Sequence, residues 1–253
     1  MLSEEIKQNT PAWLEIRKGK MTASHAAVIY NFGLDFTKTK EDYEQTVIYC
    51  QEKPTKPLST KIEKLSLFID DNGNFCSDLY FNKKESGLQT YVYSLMSEYY
   101  SAGIKTNITN EAMQIGTERE IEAKFLYNNL FNADIEDVGF VVGSEYYGCS
   151  PDGRISENKL VEIKCPTDET FFKLLFTQKI KSEYYAQMQM QMLIDNKDLC
   201  DYFVYNPNFE KIYFNKEVKK DDDFIKYLQV GLDVGSKQIQ KLHEAYSKIK
   251  KED

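Results

Sequence analysis

Histidine is scarce in this sequence, with only His25 and His243, and the five cysteines, Cys50, Cys76, Cys149, Cys165 and Cys200, include no Cys-x-x-Cys pair. That spacing excludes a zinc knuckle and a four-cysteine iron–sulfur cluster. Any metal site must then rest on carboxylates, a donor set that suits magnesium or manganese better than zinc. An odd number of scattered thiols reads as reduced cytosolic cysteines in or near a core, not as a disulfide framework. Long apolar runs are also missing. None approaches the roughly 20 residues that a bilayer span needs, and the first residues include Glu4, Glu5 and Lys7, so neither secretion nor membrane insertion is expected. Positive charge is in deficit: 32 Lys and Arg stand against 40 Asp and Glu, a net charge of −8. That excludes a histone-like coat for nucleic acid and confines any phosphate-binding surface to a local patch. There is no internal repeat, low-complexity tract or Pro/Gly/Ser-rich linker to separate two domains.

What the sequence does contain is globular. Of 253 residues, 42% are hydrophobic and 28% charged, too apolar for a disordered chain of this charge. At about 150 residues per domain, the length implies one large domain or one with an appended subdomain. Thr10 before Pro11 predicts a capped helix start, with proline at the first turn where its missing N–H costs nothing. A second helix is expected near Ser24, running through Ala26, Ala27 and Ile29. Residues 31–85 are the least readable: Pro54 and Pro57 break them, Asp-Asn-Gly-Asn at 71–74 is hairpin-like, and the whole stretch is a candidate insertion.

Apolar and aromatic residues at helical spacing predict a helix from Gly87 to Tyr100 that stops near Gly103. Another is expected from about Asn110 to Asn129, with Met113, Ile121, Phe125 and Leu126 on or near one face. Between 138 and 165 the pattern turns to strands, interrupted by a sharp Ser-Pro-Asp-Gly. A helix at 182–194, strands at 201–205 and 211–214, and a long amphipathic helix from Asp221 to about 250 complete the chain. This order predicts an α/β (α+β) fold, a central mixed sheet flanked by helices, in a single domain over 1–253.

The chemistry concentrates in one stretch. Asp152 ends a strand, and ten residues later Glu162 begins Glu-Ile-Lys on the next. Alternate side chains of a strand share a face, so Glu162 and Lys164 point one way and Ile163 points into the core. A hairpin would set Asp152 beside them and offer the Ile163 carbonyl as a further oxygen. Hard oxygen donors at a sheet edge suit Mg²⁺, which keeps several waters and shares its shell with substrate phosphates. The ion polarises a phosphoryl oxygen and acidifies a bound water, which Lys164 would orient or deprotonate. A lone acid in so charged a chain is ordinarily a solvated surface group. These charges, however, interrupt an apolar strand, where they are costly unless paired or metal-bound.

Ser-Pro-Asp-Gly followed by Val-Glu-Ile-Lys-Cys-Pro resembles the active-site core of the PD-(D/E)xK nuclease superfamily, in the branch of lambda exonuclease and the YqaJ-type viral recombinases. Three further segments are similar to that branch in the same order: Trp13-Leu14-Glu15-Ile16-Arg17 with Met21-Thr22-Ala23-Ser24, then Gly116-Thr117-Glu118-Arg119-Glu120, then Tyr184-Tyr185-Ala186-Gln187-Met188-Gln189. The resemblance implies a restriction-endonuclease-like core in which Asp152, Glu162, the Ile163 carbonyl and the helix-borne Glu120 bind the metal. Lys164 activates water, and Gln187 lies near the attacking water or scissile phosphate with Tyr184 on its side. A plain polar helix face, which Gln189 and Gln191 also fit, is the alternative for those two.

Arg17, Thr22 and Ser24 make a sound anion site, a guanidinium aided by hydroxyls and helix amides. In the family such a pocket holds the 5′-phosphate of the strand being degraded. The function implied is a Mg-dependent 5′→3′ exonuclease, with Mn able to substitute, that degrades one strand of linear double-stranded DNA and leaves 3′ overhangs for recombination or repair. The alternatives are an endonuclease of the same superfamily and an inactive DNA-binding or partner-binding module. Implied partners are double-stranded DNA ends, a single-strand annealing protein and further copies of the chain in a trimer, with no membrane. The implied location is the cytoplasm or a viral replication compartment.

Overall fold

Thr10 accepts a hydrogen bond from the Trp13 amide and opens the first helix, α1 (Pro11–Arg17), with proline in the first turn. In this computed structural model, which describes residues 6–101 and 111–250 with the side chains of 111–117 excepted, there follow β1 (Met21–Thr22), α2 (Ala26–Glu52), α3 (Lys56–Leu65), α4 (Ser77–Lys83), α5 (Gly87–Tyr100) and α6 (Glu111–Phe131). Next come β2 (Val141–Val142), β3 (Tyr147–Cys149), β4 (Gly153–Ser156), β5 (Lys159–Lys164), α7 (Asp168–Thr177), α8 (Ser182–Ile194), β6 (Leu199–Tyr205), β7 (Tyr213–Lys219) and α9 (Asp222–Ile249). The expected helix stop at Gly103 and the side chain of Met113 lie outside the described residues. The elements divide into two compact units, one from residues 1–24 with 101–222, the other from 25–100 with 223–253.

The first unit holds the strands. A four-stranded mixed sheet runs β4-β5-β6-β7, with β5 and β6 parallel and both outer pairs antiparallel. Parallel strands need a crossover, which α7 and α8 supply. Side-chain alternation along β5 builds two different faces. Val161 and Ile163 pack with Phe203 and Tyr205 of β6 against Ala123 and Tyr127 of α6. Leu160, with Cys200, Tyr202 and Val204, packs against Phe171, Leu174, Met188 and Met192 of α7 and α8.

Sequence pattern suggested a single sheet, whereas β1, β3 and β2 form a separate three-stranded one. Pro151 lies between β3 and β4. It has no N–H to give to a ladder, so the chain leaves one sheet there and enters the other.

The second unit contains the segment that was hardest to read. Residues 31–52 continue α2, and the stretch to 85 adds α3 and α4. The Asp-Asn-Gly-Asn turn is present: Ile69 bridges Phe75, Asp70 Oδ1 accepts from the Asn72 and Asn74 amides, and Gly73 takes φ 82°. Phe32, Phe36, Phe68, Phe75 and Tyr80 pack ring on ring beside it. α2 and α9 meet backbone to backbone. A Cβ at Gly33 would lie 1.9 Å from the Tyr227 carbonyl oxygen, and one at Gly231 would lie 2.1 Å from that of Ile29. Among the described residues no helix is long and apolar enough to cross a membrane.

Candidate active site

The β4–β5 hairpin pairs Gly153 with Val161, so Asp152, one residue earlier, comes level with Glu162. Asp152 Oδ2 accepts a hydrogen bond from the Ile163 amide at 2.7 Å. Its turn is braced from the N-terminal segment: Trp13 Nε1 donates to Ser150 Oγ at 2.9 Å, and Gln8 Nε2 donates to the carbonyls of Pro151 at 2.9 Å and Val138 at 2.7 Å. A side chain on Gly153 would have its Cβ 2.1 Å from Ile135 Cγ2. Glycine here serves close approach.

Glu162 is fully buried. Its Oε1 accepts from Lys164 Nζ, and its Oε2 accepts from Gln191 Nε2 at 2.7 Å. Lys164 Nζ also lies 5.1 Å from the centre of the Tyr184 ring. Burial pushes the Asp152 carboxyl well above the usual carboxylate range, and the Glu162 charge adds to the rise, against the opposing pull of Lys164. For Lys164, burial disfavours the ammonium, but Glu162 and Asp152 outweigh it and hold the group above its ordinary value. Lys164 is therefore a cation at neutral pH.

The other residues singled out by sequence fall as follows. Glu120 is within electrostatic reach of Asp152 and raises its proton affinity, while its own carboxylate lies 3.8 Å from Lys124 Nζ. Ile163 places its side chain in the core on the α6 face. Gln187 is half-buried, and its side chain makes no hydrogen bond among the described residues. One turn further along α8 it is Gln191 that reaches Glu162. Thr22 and Ser24 bring their hydroxyls to 3.1 Å. Arg17, in the last turn of α1, lays its guanidinium 3.7 Å from the centre of the buried Trp13 ring.

Sequence reasoning grouped Gln189 and Gln191 with a plain polar face, yet both are fully buried. Gln189 ties α8 to the end of β7, donating to the Lys219 carbonyl at 2.8 Å and accepting from the Asp221 amide at 2.9 Å. Arg154 and Asp195 were also missed. They form a forked pair, Nε to Oδ2 at 2.9 Å and a terminal nitrogen to Oδ1 at 2.6 Å, which locks the hairpin to the end of α8. The available signal was the i, i+4 spacing of Gln187 and Gln191, which puts both on one helix face. For Arg154–Asp195 there was none.

These donors fit a hard divalent cation. Asp152 and Glu162 are two carboxylates beside one ammonium, and Gln191 Oε1 is buried without a hydrogen-bond partner among the described residues, an acceptor left over beside them. No group of three or more His, Cys, Asp or Glu among the described residues gathers closely enough to cage an ion alone. Two carboxylates with waters and substrate oxygens are the usual company of Mg²⁺.

Residues 12–198 match the family model described as the YqaJ-like viral recombinase domain. The solved structure of LHK-Exo in complex with dAMP is similar with a TM-score of 0.66 at 24% identity, over 95% of this chain and 100% of that one. A second structure of LHK-Exo, an alkaline exonuclease from Laribacter hongkongensis, gives a TM-score of 0.63 with the same identity and coverage. The likeness establishes a shared fold, with mixed sheets flanked by helices. No curated protein sequence matches this chain.

Proposed function

We propose that this chain, which belongs to the YqaJ-like viral recombinase domain family, is a magnesium-dependent deoxyribonuclease that degrades one strand of linear double-stranded DNA from its 5′ end and leaves 3′ overhangs. The observation that carries the reading is the fully buried Glu162, joined to Lys164 on its own strand and level with Asp152. Charges sunk this deep into a sheet are costly unless paired or metal-bound. Asp152 and Glu162 would hold the ion with the Ile163 carbonyl, and Glu120 would join them on leaving Lys124. Bound Mg²⁺ supplies Lewis-acid polarisation of the phosphodiester and a more acidic water.

The chain's own groups do the rest. Lys164, kept protonated by its two carboxylates, orients the water and offers an N–H to the phosphate oxygen on which negative charge develops. Gln191 fixes Glu162, leaving Gln187, one turn away and without a hydrogen bond among the described residues, to position the water or scissile phosphate. Arg17, Thr22 and Ser24 take the terminal 5′-phosphate, and Tyr184 flanks the strand. Manganese fits the same oxygens. A single-strand annealing protein fits as the receiver of the exposed 3′ strand, and a homotrimer is the expected assembly.

The test incubates linear duplexes ending in 5′-phosphate or 5′-hydroxyl, beside a closed circle, with and without Mg²⁺. Expected are metal-dependent loss of the linear DNA with a preference for the phosphorylated end, an intact circle, and no cleavage by Asp152→Asn. Cutting of the circle would turn the reading to an endonuclease, and absence of cleavage under all metals would turn it to a binding module.

A further inference from the structure

A cavity of about 220 Å³ opens between α7, the start of α8 and Tyr202 of β6, with Pro166, just past β5, at its edge. Lys173, Thr177, Lys179 and Lys181 stand around it, and the rings of Tyr184 and Tyr202, 6.0 Å apart, form part of its wall. We propose that this cavity is a subsite for one unpaired nucleobase of single-stranded DNA, held against the Tyr184 ring with its flanking phosphates on the lysines. The proposal rests on the nuclease reading and names the part of the substrate that lies next to the reacting phosphate.

Size, lining and position each narrow the ligand. The volume exceeds the roughly 150 Å³ that takes a benzene ring and falls short of the roughly 300 Å³ at which sites for whole ligands begin. One flat ring system fits, and a base still joined to its complement does not. Carbon dominates the lining, which disfavours a bare phosphate, while three ammonium groups clustered on a chain of net charge −8 call for an anion attached to that ring. A base on a phosphodiester backbone meets both demands, and aromatic stacking beside lysines is how unpaired strands are held.

The position follows from Tyr184, whose ring centre lies 5.1 Å from Lys164 Nζ and 5.6 Å from Lys181 Nζ. A base on that ring therefore belongs to a nucleotide adjoining the phosphate that Lys164 addresses. The rim is preformed. Gln178 closes α7 in the left-handed conformation, its amide donating to the Leu174 carbonyl at 2.8 Å, and Thr177 Oγ1 accepts from the Lys179 amide at 3.4 Å.

The experiment uses the full chain in EDTA with two short single-stranded oligonucleotides, one carrying 2-aminopurine and the other an abasic residue at the same position. Expected is quenching of the 2-aminopurine and about tenfold tighter binding than to the abasic strand, a modest value for one stacked base. Thr177→Met, which narrows the mouth, and Lys179→Glu, which inverts its charge, should each erase most of that preference. Equal binding of the two strands by the wild-type protein, or a preference untouched in both variants, overturns the subsite. So does Thr177-dependent capture of an acidic aromatic peptide without any base preference, which would make the cavity a protein-docking site. Cleavage of duplex DNA in Mg²⁺ is scored separately. Cleavage without base preference removes the subsite alone, and base preference without cleavage removes the nuclease reading while the cavity stands as a single-strand site.

Discussion

Gln191→Ala should damage the site more than Gln187→Ala, although Gln187 is the residue to which the sequence resemblance gave a role. Gln191 Nε2 donates to Glu162 Oε2 at 2.7 Å, and both side chains are fully buried. A hydrogen bond to a charged group contributes about 1.5–3 kcal/mol. At about 1.36 kcal/mol per factor of ten, that is roughly a ten- to two-hundredfold loss in any step that needs Glu162 aligned. Removal of a group that orients a metal ligand ordinarily lowers metal affinity or activity by about 10–100-fold, the same range. Expressed as stability, the same loss lowers the melting temperature by about 3–12 °C, at 2–4 °C per kcal/mol for a chain near this length. The assay is a Mg²⁺ titration of cleavage of a 5′-phosphorylated duplex by both variants, with thermal unfolding alongside. Gln191→Ala should need more Mg²⁺ and melt lower, whereas Gln187→Ala should lose rate at unchanged melting temperature. If Gln191→Ala keeps the wild-type metal dependence and melting point, the argument that Gln191 holds Glu162 in place is wrong.

Arg154→Ala should lower stability by about 3–5 kcal/mol, because it leaves Asp195 as a buried charge without its forked partner; an unchanged denaturant midpoint would contradict this. Gly231→Ala puts a Cβ 2.1 Å from the Ile29 carbonyl oxygen and should destabilise by about 1–3 kcal/mol through overpacking, read as a lower melting temperature; a neutral result would mean that the α2–α9 contact yields freely. For pH, the raised Asp152 carboxyl means that the folded protein binds this proton more tightly than the unfolded chain does. Without metal, stability should fall as pH rises from the unfolded value of about 4 through the raised folded value. Mg²⁺ competes with that proton, so its stabilising thermal shift should grow with pH; a shift independent of pH would show that the ion does not meet Asp152.

Legibility in the sequence followed the range of the interactions. α5 begins and ends where apolar spacing placed it, at 87–100, since that pattern is local, and α8 occupies the expected 182–194. Strand alternation put Glu162 and Lys164 on one face and Ile163 on the other, which the packing of β5 repeats. α2 was harder to see past residue 31. Its buried positions are only Ala26, Ile29, Phe32, Gly33 and Thr46 over 27 residues, too few for a periodic stripe. Two sheets in place of one depended on β1 meeting β3 from over 120 residues away. Gln187 and Gln191 are chemically alike, and only tertiary packing decides which of them reaches Glu162. The pairing of Glu120 with Lys124 is likewise a choice among rotamers that spacing does not make.

The loop joining β4 to β5 is two residues long, Glu157 and Asn158, and it measures the distance between Asp152 and Glu162 along the hairpin. A one-residue slip of β5 against its neighbours would rotate every side chain of the strand to the opposite surface, exiling Glu162 and Lys164 to the layer beneath α6 and bringing Val161 and Ile163 up in their place. Insertions and deletions that shift this pairing should consequently be barred over evolutionary time, while drift in the length of the helical segment between residues 31 and 85 would leave the spacing of these reactive groups untouched.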